Sequence, residues 1–122
     1  MCQILLIDDM LPVRHAIAAT LRKAGHEVVE AEDGDNGLAI AERQAFDIVI
    51  TDIMMPGSDG TDVVFALKSK PTGPRVVAIS GGGAGIPADE ALHLPATQAD
   101  AVLKKPFTNE QLIETVSLLT SN

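Results

Sequence analysis

The chain has no tryptophan and no tyrosine, and only three phenylalanines among 122 residues. Its core must therefore be aliphatic, built from Val, Ile, Leu and Ala. There is one cysteine, Cys2. A lone thiol cannot close an internal disulfide, which fits a reducing compartment, and Cys2 is expected as a half-buried residue opening a strand. Positive charge is also scarce: 9 Lys and Arg stand against 17 Asp and Glu, a formal net charge of −8. That argues against direct nucleic-acid binding, which needs a basic surface to displace counterions. Cationic ligands and metal ions remain compatible. No apolar run approaches the ~18 residues that a membrane span requires. The N-terminus lacks a basic region followed by a hydrophobic stretch, so no signal peptide is read and a cytoplasmic protein is expected.

What is present suits one domain. Hydrophobic residues make up 46% of the chain, enough for a real core at this length. Ile48-Val49-Ile50 is a short apolar run suited to a strand covered on both faces. Asp52 follows it, and Pro56-Gly57 then breaks the chain into a loop. An aspartate at the carboxyl end of such a strand sits where open α/β sheets place their chemistry.

The same grammar repeats along the chain. Gln3 to Ile7 reads as a first strand ending on Asp8-Asp9, and Pro12 opens a helix carrying Val13, Ile17, Leu21 and Ala24, stopped by Gly25. Glu27 to Ala31 is a second strand and Asp33-Gly34 a turn. A helix of roughly ten residues then follows, with Leu38, Ile40 and Ala41 inward and Gly37 weakening it locally. Asp59 is placed to cap a third helix with Val63, Val64 and Leu67 inward. Arg75 to Ser80 is a fourth strand, followed by the glycine-rich run Gly81 to Gly85, which reads as a flexible loop. A fourth helix over 88–97 should be cut short or kinked by Pro95. Ala101 to Lys104 is a fifth strand, followed by Lys105-Pro106. Thr108 and Gln111 form a capping-box pattern for a last helix with Leu112, Ile113, Val116 and Leu119 inward. Five strand–helix alternations predict a parallel five-stranded sheet with helices on both faces.

Four polar features fall at strand ends: Asp8-Asp9, Asp52, Ser80 and Lys105. Each alone has a plain structural reading, as a cap, a turn residue or a surface charge. In a parallel sheet, however, all carboxyl ends share one edge. If the first and third strands are neighbours, Asp8, Asp9 and Asp52 converge where the strand order reverses. Three carboxylates so close repel one another, and a hard divalent cation such as Mg²⁺ removes the conflict. With Lys105 and Ser80 added, the set suits phosphoryl transfer, and Asp52 is the best-placed acceptor. The glycine run does not match a P-loop or a dinucleotide fingerprint. His15, His26 and His93 lack metal-ligand spacing and are expected on the surface.

Taken in order, Ile7-Asp8-Asp9, Asp52-Ile53-Met54-Met55-Pro56-Gly57-Ser58-Asp59-Gly60, Ile79-Ser80-Gly81-Gly82 and Leu103-Lys104-Lys105-Pro106-Phe107 resemble the receiver domain of bacterial two-component response regulators. The likeness covers essentially the whole chain. It implies a flavodoxin-like (βα)5 three-layer sandwich with strand order 2-1-3-4-5, the order given by a member of that family. It implies Asp52 as phosphoacceptor, charged by a histidine kinase or histidine phosphotransfer protein. Asp9, Asp52 and the Met54 backbone carbonyl would bind Mg²⁺, with Asp8 acting through water. Lys105 would pair with the phosphoryl group and precede a cis bond to Pro106, and Ser80 would move toward that group. The result is a switch of protein–protein contacts with a downstream target, not a turnover enzyme. Family dimers through the fourth and fifth helices make a homodimer by that route one assembly the resemblance offers.

Two departures stand out. Val102 occupies a position where the family often has an aromatic, so an aromatic rotamer switch is not expected. Met54 has no polar side chain to position an attacking water, so slow hydrolysis of the acyl phosphate is expected. Because the chain ends at Asn122, just past the last helix, residues 1–122 are expected to be a receiver domain without an output domain, either a single-domain regulator or a fragment. Two other readings stay open. One is a Mg²⁺-dependent phosphatase or phosphotransferase with an aspartyl-phosphate intermediate, although its usual second Asp is replaced by Met54. The other is a pseudo-receiver that only binds partners.

Overall fold

A computed structural model describes residues 2–53, 60–69, 73–80 and 99–120. Its strands are β1 (Gln3–Ile7), β2 (Glu27–Ala31), β3 (Ile48–Asp52), β4 (Arg75–Ser80) and β5 (Ala101–Lys104). They form one parallel sheet in the order β2-β1-β3-β4-β5. The described helices are α1 (Leu11–Lys23), α2 (Gly34–Arg43), α3 (Gly60–Lys68) and α4 (Asn109–Thr120). The helix expected over 88–97, the glycine run and the Asp59 cap lie outside the described residues, so α4 is the last helix of the sequence reading.

Side chains of a strand alternate between faces, and the two cores follow that period. Ile4, Leu6, Ile48, Ile50, Val77 and Ile79 pack with Ile17, Ala18 and Leu21 of α1 and Leu112 and Val116 of α4. Leu5, Ile7, Val49 and Val76 pack on the other face with Val63, Val64 and Leu67 of α3. The expected aliphatic three-layer sandwich results, with β1, β3 and β4 buried almost throughout.

The helix ends follow local chemistry. Gly25 takes φ 99° just past α1, a left-handed conformation that glycine adopts without cost. At α4, the Thr108 N–H donates to Gln111 Oε1 and the Gln111 N–H to Thr108 Oγ1, at 2.9 and 3.0 Å. Both bonds of the capping box are therefore made.

Three expectations change. Asp33-Gly34 is not a free turn: Asp33 caps α2 by accepting the Asn36 N–H at 2.8 Å, and Gly34 is the first helical residue. Gly37 does more than weaken α2. It is buried, and a Cβ there would lie 2.3 Å from Ile7 Cδ1 and 2.7 Å from Ile7 Cγ1. Only a residue without a side chain lets α2 sit this close to β1. His26 is half-buried rather than a plain surface residue. Its Nδ1 accepts the Cys2 backbone N–H at 3.2 Å and lies 3.3 Å from the thiol. Burial pushes the Cys2 thiol up and the His26 imidazole down, so both are neutral packing partners. Cys2 itself is buried. His93 lies outside the described residues.

Candidate functional site

The register decides what meets at the carboxyl edge. Ile7 pairs with Thr51 across β1 and β3, so Asp8 comes level with Asp52. Asp52 pairs with Ile79, and Ser80 with Lys104. The Lys105 N–H donates to the Ser80 carbonyl at 2.8 Å, which ties the start of the β5–α4 loop to the end of β4. The Lys105-Pro106 bond is cis, as the resemblance implies.

Side chains close the site. One carboxylate oxygen from each of Asp8, Asp9 and Asp52 lies within 4.8 Å of the other two. Lys105 Nζ is 3.3 Å from Asp52 Oδ2 and 4.0 Å from Asp8 Oδ2. Asp8 and Ser80 are fully buried, Asp52 is nearly so, and Asp9 is exposed. Asp8 Oδ1 accepts the Met10 N–H at 2.9 Å, while its Oδ2 is buried with no hydrogen bond among the described residues.

The electrostatics are unfavourable as they stand. Burial pushes the Asp8 carboxyl above the usual range, and the charges of Asp52 and Asp9 add to this. The Met10 N–H and Lys105 oppose it. One lysine cannot offset three carboxylates. An orphaned buried oxygen beside two more carboxylates fits a hard cation that takes oxygen ligands and keeps several waters. The residues present therefore suit Mg²⁺.

Comparison with known proteins decides the family. The model of the response regulator receiver domain matches residues 4–117. The chain belongs to this family. As a receiver domain it is 31% identical over 115 residues to the response regulator protein FleR of Pseudomonas aeruginosa, which covers 94% of the chain and 24% of FleR. It spans half or less of the length of other curated relatives. Among solved structures, chemotaxis response regulator CheY4 of Vibrio cholerae superposes with TM-score 0.83 at 30% identity, covering 98% of both chains. Response regulator TrrA of Thermotoga maritima, solved in complex with Mg²⁺-BeF, superposes with TM-score 0.83 at 28% identity and covers 98% of this chain and 99% of its own. The match supports neither the small-ester phosphatase reading nor the pseudo-receiver.

The structure brings Asp8, Asp9, Asp52 and Lys105 together and puts Ser80 at the adjacent strand end. Met54 lies outside the described residues. Val102 is half-buried and packs against Ile53 and Ala78. Strand-end reasoning missed two residues behind the site. The Arg14 guanidinium donates to the Asp8 backbone carbonyl at 2.9 Å and to Glu30 Oε1 at 3.1 Å. Glu30 also meets His15 at 2.8 Å and Arg22 at 3.3 Å. Arg14 lies on α1 and Glu30 on β2, and no local spacing links them. Among the described residues, no helix is long and apolar enough to cross a membrane.

Proposed function

We propose that Asp52 is the phosphoacceptor of this receiver domain and that Asp8, Asp9 and Asp52, with the Met54 carbonyl, hold Mg²⁺. The observation that carries this reading is the cluster of three carboxylates with Lys105 at one sheet edge, one of its buried oxygens having no hydrogen bond among the described residues. The Mg²⁺-BeF complex of TrrA supports it.

The donor is a phosphohistidine on a histidine kinase or a histidine phosphotransfer protein. An Asp52 carboxylate oxygen attacks phosphorus, and the new O–P bond makes an acyl phosphate. The N–P bond breaks, its electron pair stays on the imidazole, and that ring takes a proton from solvent. Lys105, already 3.3 Å from Asp52, transfers its attraction to the phosphoryl oxygens and stabilises their charge. Ser80 supplies a hydroxyl from the end of β4. Held by Asp8, Asp9, Asp52 and the Met54 carbonyl, Mg²⁺ would supply charge neutralisation for the transferring group. The group that takes the phosphoryl is the domain's own, so the outcome is a changed surface for a downstream protein in the cytoplasm rather than turnover of a substrate.

The test is incubation with acetyl phosphate and Mg²⁺, read by intact mass. One added phosphoryl group is expected on the wild type and none on Asp52→Asn. Lys105→Met should label about 100-fold more slowly. If acetyl phosphate labels neither protein, phosphotransfer from a phosphorylated histidine kinase is tried. Failure with both donors, or labelling of Asp52→Asn at the wild-type rate, would overturn the assignment.

A further inference from the structure

We propose that Arg14 is a positioning residue for the metal site: through the Asp8 backbone carbonyl it sets the direction in which the Asp8 and Asp9 carboxylates leave the chain. The inference rests on the Mg²⁺ reading above.

Asp8 leaves β1 held on three sides. Its N–H donates to the Ala31 carbonyl at 3.1 Å, which continues the β1–β2 ladder by one residue. Its Oδ1 takes the Met10 N–H at 2.9 Å. Its carbonyl takes Arg14 Nη1 at 2.9 Å. The third contact reaches beyond Asp8. The Asp8 carbonyl and the Asp9 nitrogen belong to one planar peptide unit. Fixing that oxygen fixes the plane, and with it the axis from which the Asp9 side chain departs. Asp9 is exposed, and among the described residues no side-chain hydrogen bond holds its carboxylate. Its placement within 4.8 Å of Asp8 and Asp52 therefore depends on the backbone.

Arg14 is itself held. Its side chain is only 12% exposed, and its Nε bonds Glu30 Oε1 at 3.1 Å. The planar guanidinium donates in two directions from one rigid group, which an ammonium cannot reproduce. The Arg14 N–H donates to the Met10 carbonyl at 2.8 Å, so the residue belongs to the first turn of α1. The chain Glu30–Arg14–Asp8 thus links β2, α1 and the loop after β1. Groups that orient metal ligands in this way typically contribute 10–100-fold in affinity.

Charge alone predicts the opposite sign. Removing the cation bonded to the Asp8 carbonyl should strengthen Mg²⁺ binding, whereas loss of positioning should weaken it. The experiment is calorimetric titration of the intact apo protein with MgCl₂ for wild type, Arg14→Gln, Arg14→Lys and Arg22→Gln. Folding of each is checked by circular dichroism. Arg22 meets the same Glu30 at 3.3 Å, and its guanidinium also donates to the Val28 carbonyl at 2.9 Å; among the described residues it has no hydrogen bond to Asp8. Arg14→Gln is expected to bind Mg²⁺ about tenfold more weakly. Arg14→Lys keeps the charge but cannot span both acceptors, so it should weaken binding as well. Arg22→Gln should stay close to wild type. Amide exchange at Met10 in the metal-free protein should quicken in both Arg14 variants and not in Arg22→Gln. If Arg14→Gln does not fold, Arg14→Lys and the Met10 exchange rate carry the test. Unchanged or tighter binding by the folded Arg14 variants would overturn the proposal. Absence of Mg²⁺ binding by the wild type would overturn the metal reading itself, a distinguishable result.

Discussion

Gly37→Ala is the substitution whose outcome separates a local from a tertiary explanation. In an isolated helix, alanine in place of glycine gains about 1 kcal/mol. Here the new Cβ would lie 2.3 Å from Ile7 Cδ1 and 2.7 Å from Ile7 Cγ1, where carbon–carbon contact is comfortable only beyond about 3.5 Å. Ile7 cannot swing clear, because it is fully buried among Leu5, Ala31, Val49 and Val63. Such overpacking costs about 1–3 kcal/mol. The clash should win, leaving Gly37→Ala destabilised by about 1 kcal/mol on balance. Ile7→Ala removes every atom in the clash and costs about 2–5 kcal/mol by itself. In that background Gly37→Ala should become stabilising, because the helix gain remains and the clash is gone. The sign reversal is the diagnostic. Urea unfolding followed by far-ultraviolet circular dichroism would measure it, as the chain has no Trp or Tyr for fluorescence. If Gly37→Ala stabilises the wild type, or has the same effect in both backgrounds, the close approach of α2 to β1 is not what requires glycine.

Two further outcomes follow from the ionisable groups. The Asp8 carboxyl is pushed up by burial first and by Asp52 and Asp9 next, so its contribution is present at acid pH and is lost as pH rises through the raised value. Asp8→Asn should therefore raise the thermal midpoint at pH 8 in EDTA, and added Mg²⁺ should raise the midpoint of the wild type but not of the variant; a lowered midpoint in EDTA would contradict this. Asp100 is the opposite case: burial pushes its carboxyl up, but the Lys68 ammonium at 2.8 Å, the Val76 N–H at 2.7 Å and Arg75 together hold it below the usual range. Its stabilisation is present above the ordinary carboxylate pKa and is lost as pH falls through the depressed value. Asp100→Asn should lower the thermal midpoint at pH 7 and flatten its fall below about pH 4, and an unchanged acid profile would refute the assignment.

The sequence by itself determined the described strands and helices and the identity of the edge residues. Strands β1, β2, β4 and β5 run between the residues expected, because aliphatic runs bounded by Gly, Pro and paired carboxylates are local signals. The Thr108–Gln111 box was legible for the same reason: both its hydrogen bonds join residues three apart. Asp8, Asp9, Asp52 and Lys105 could be chosen because a parallel sheet sends every strand end to one side. The strand order came from family likeness rather than from any periodicity.

Tertiary structure alone decided the rest, since the deciding contacts join residues distant in the chain. Gly37 looks like a weak helix residue until Ile7, thirty positions earlier, lies against it. His26 looks like a surface histidine until β2 is laid beside β1 and the Cys2 N–H meets its ring. Arg14 looks like a solvated charge on the first turn of α1. Only the pairing of β1 with β2 sets Glu30 on one side of its guanidinium and the Asp8 carbonyl on the other. A hydrogen bond spanning two elements leaves no repeat in either of them, so its partners become visible only when the sheet is assembled.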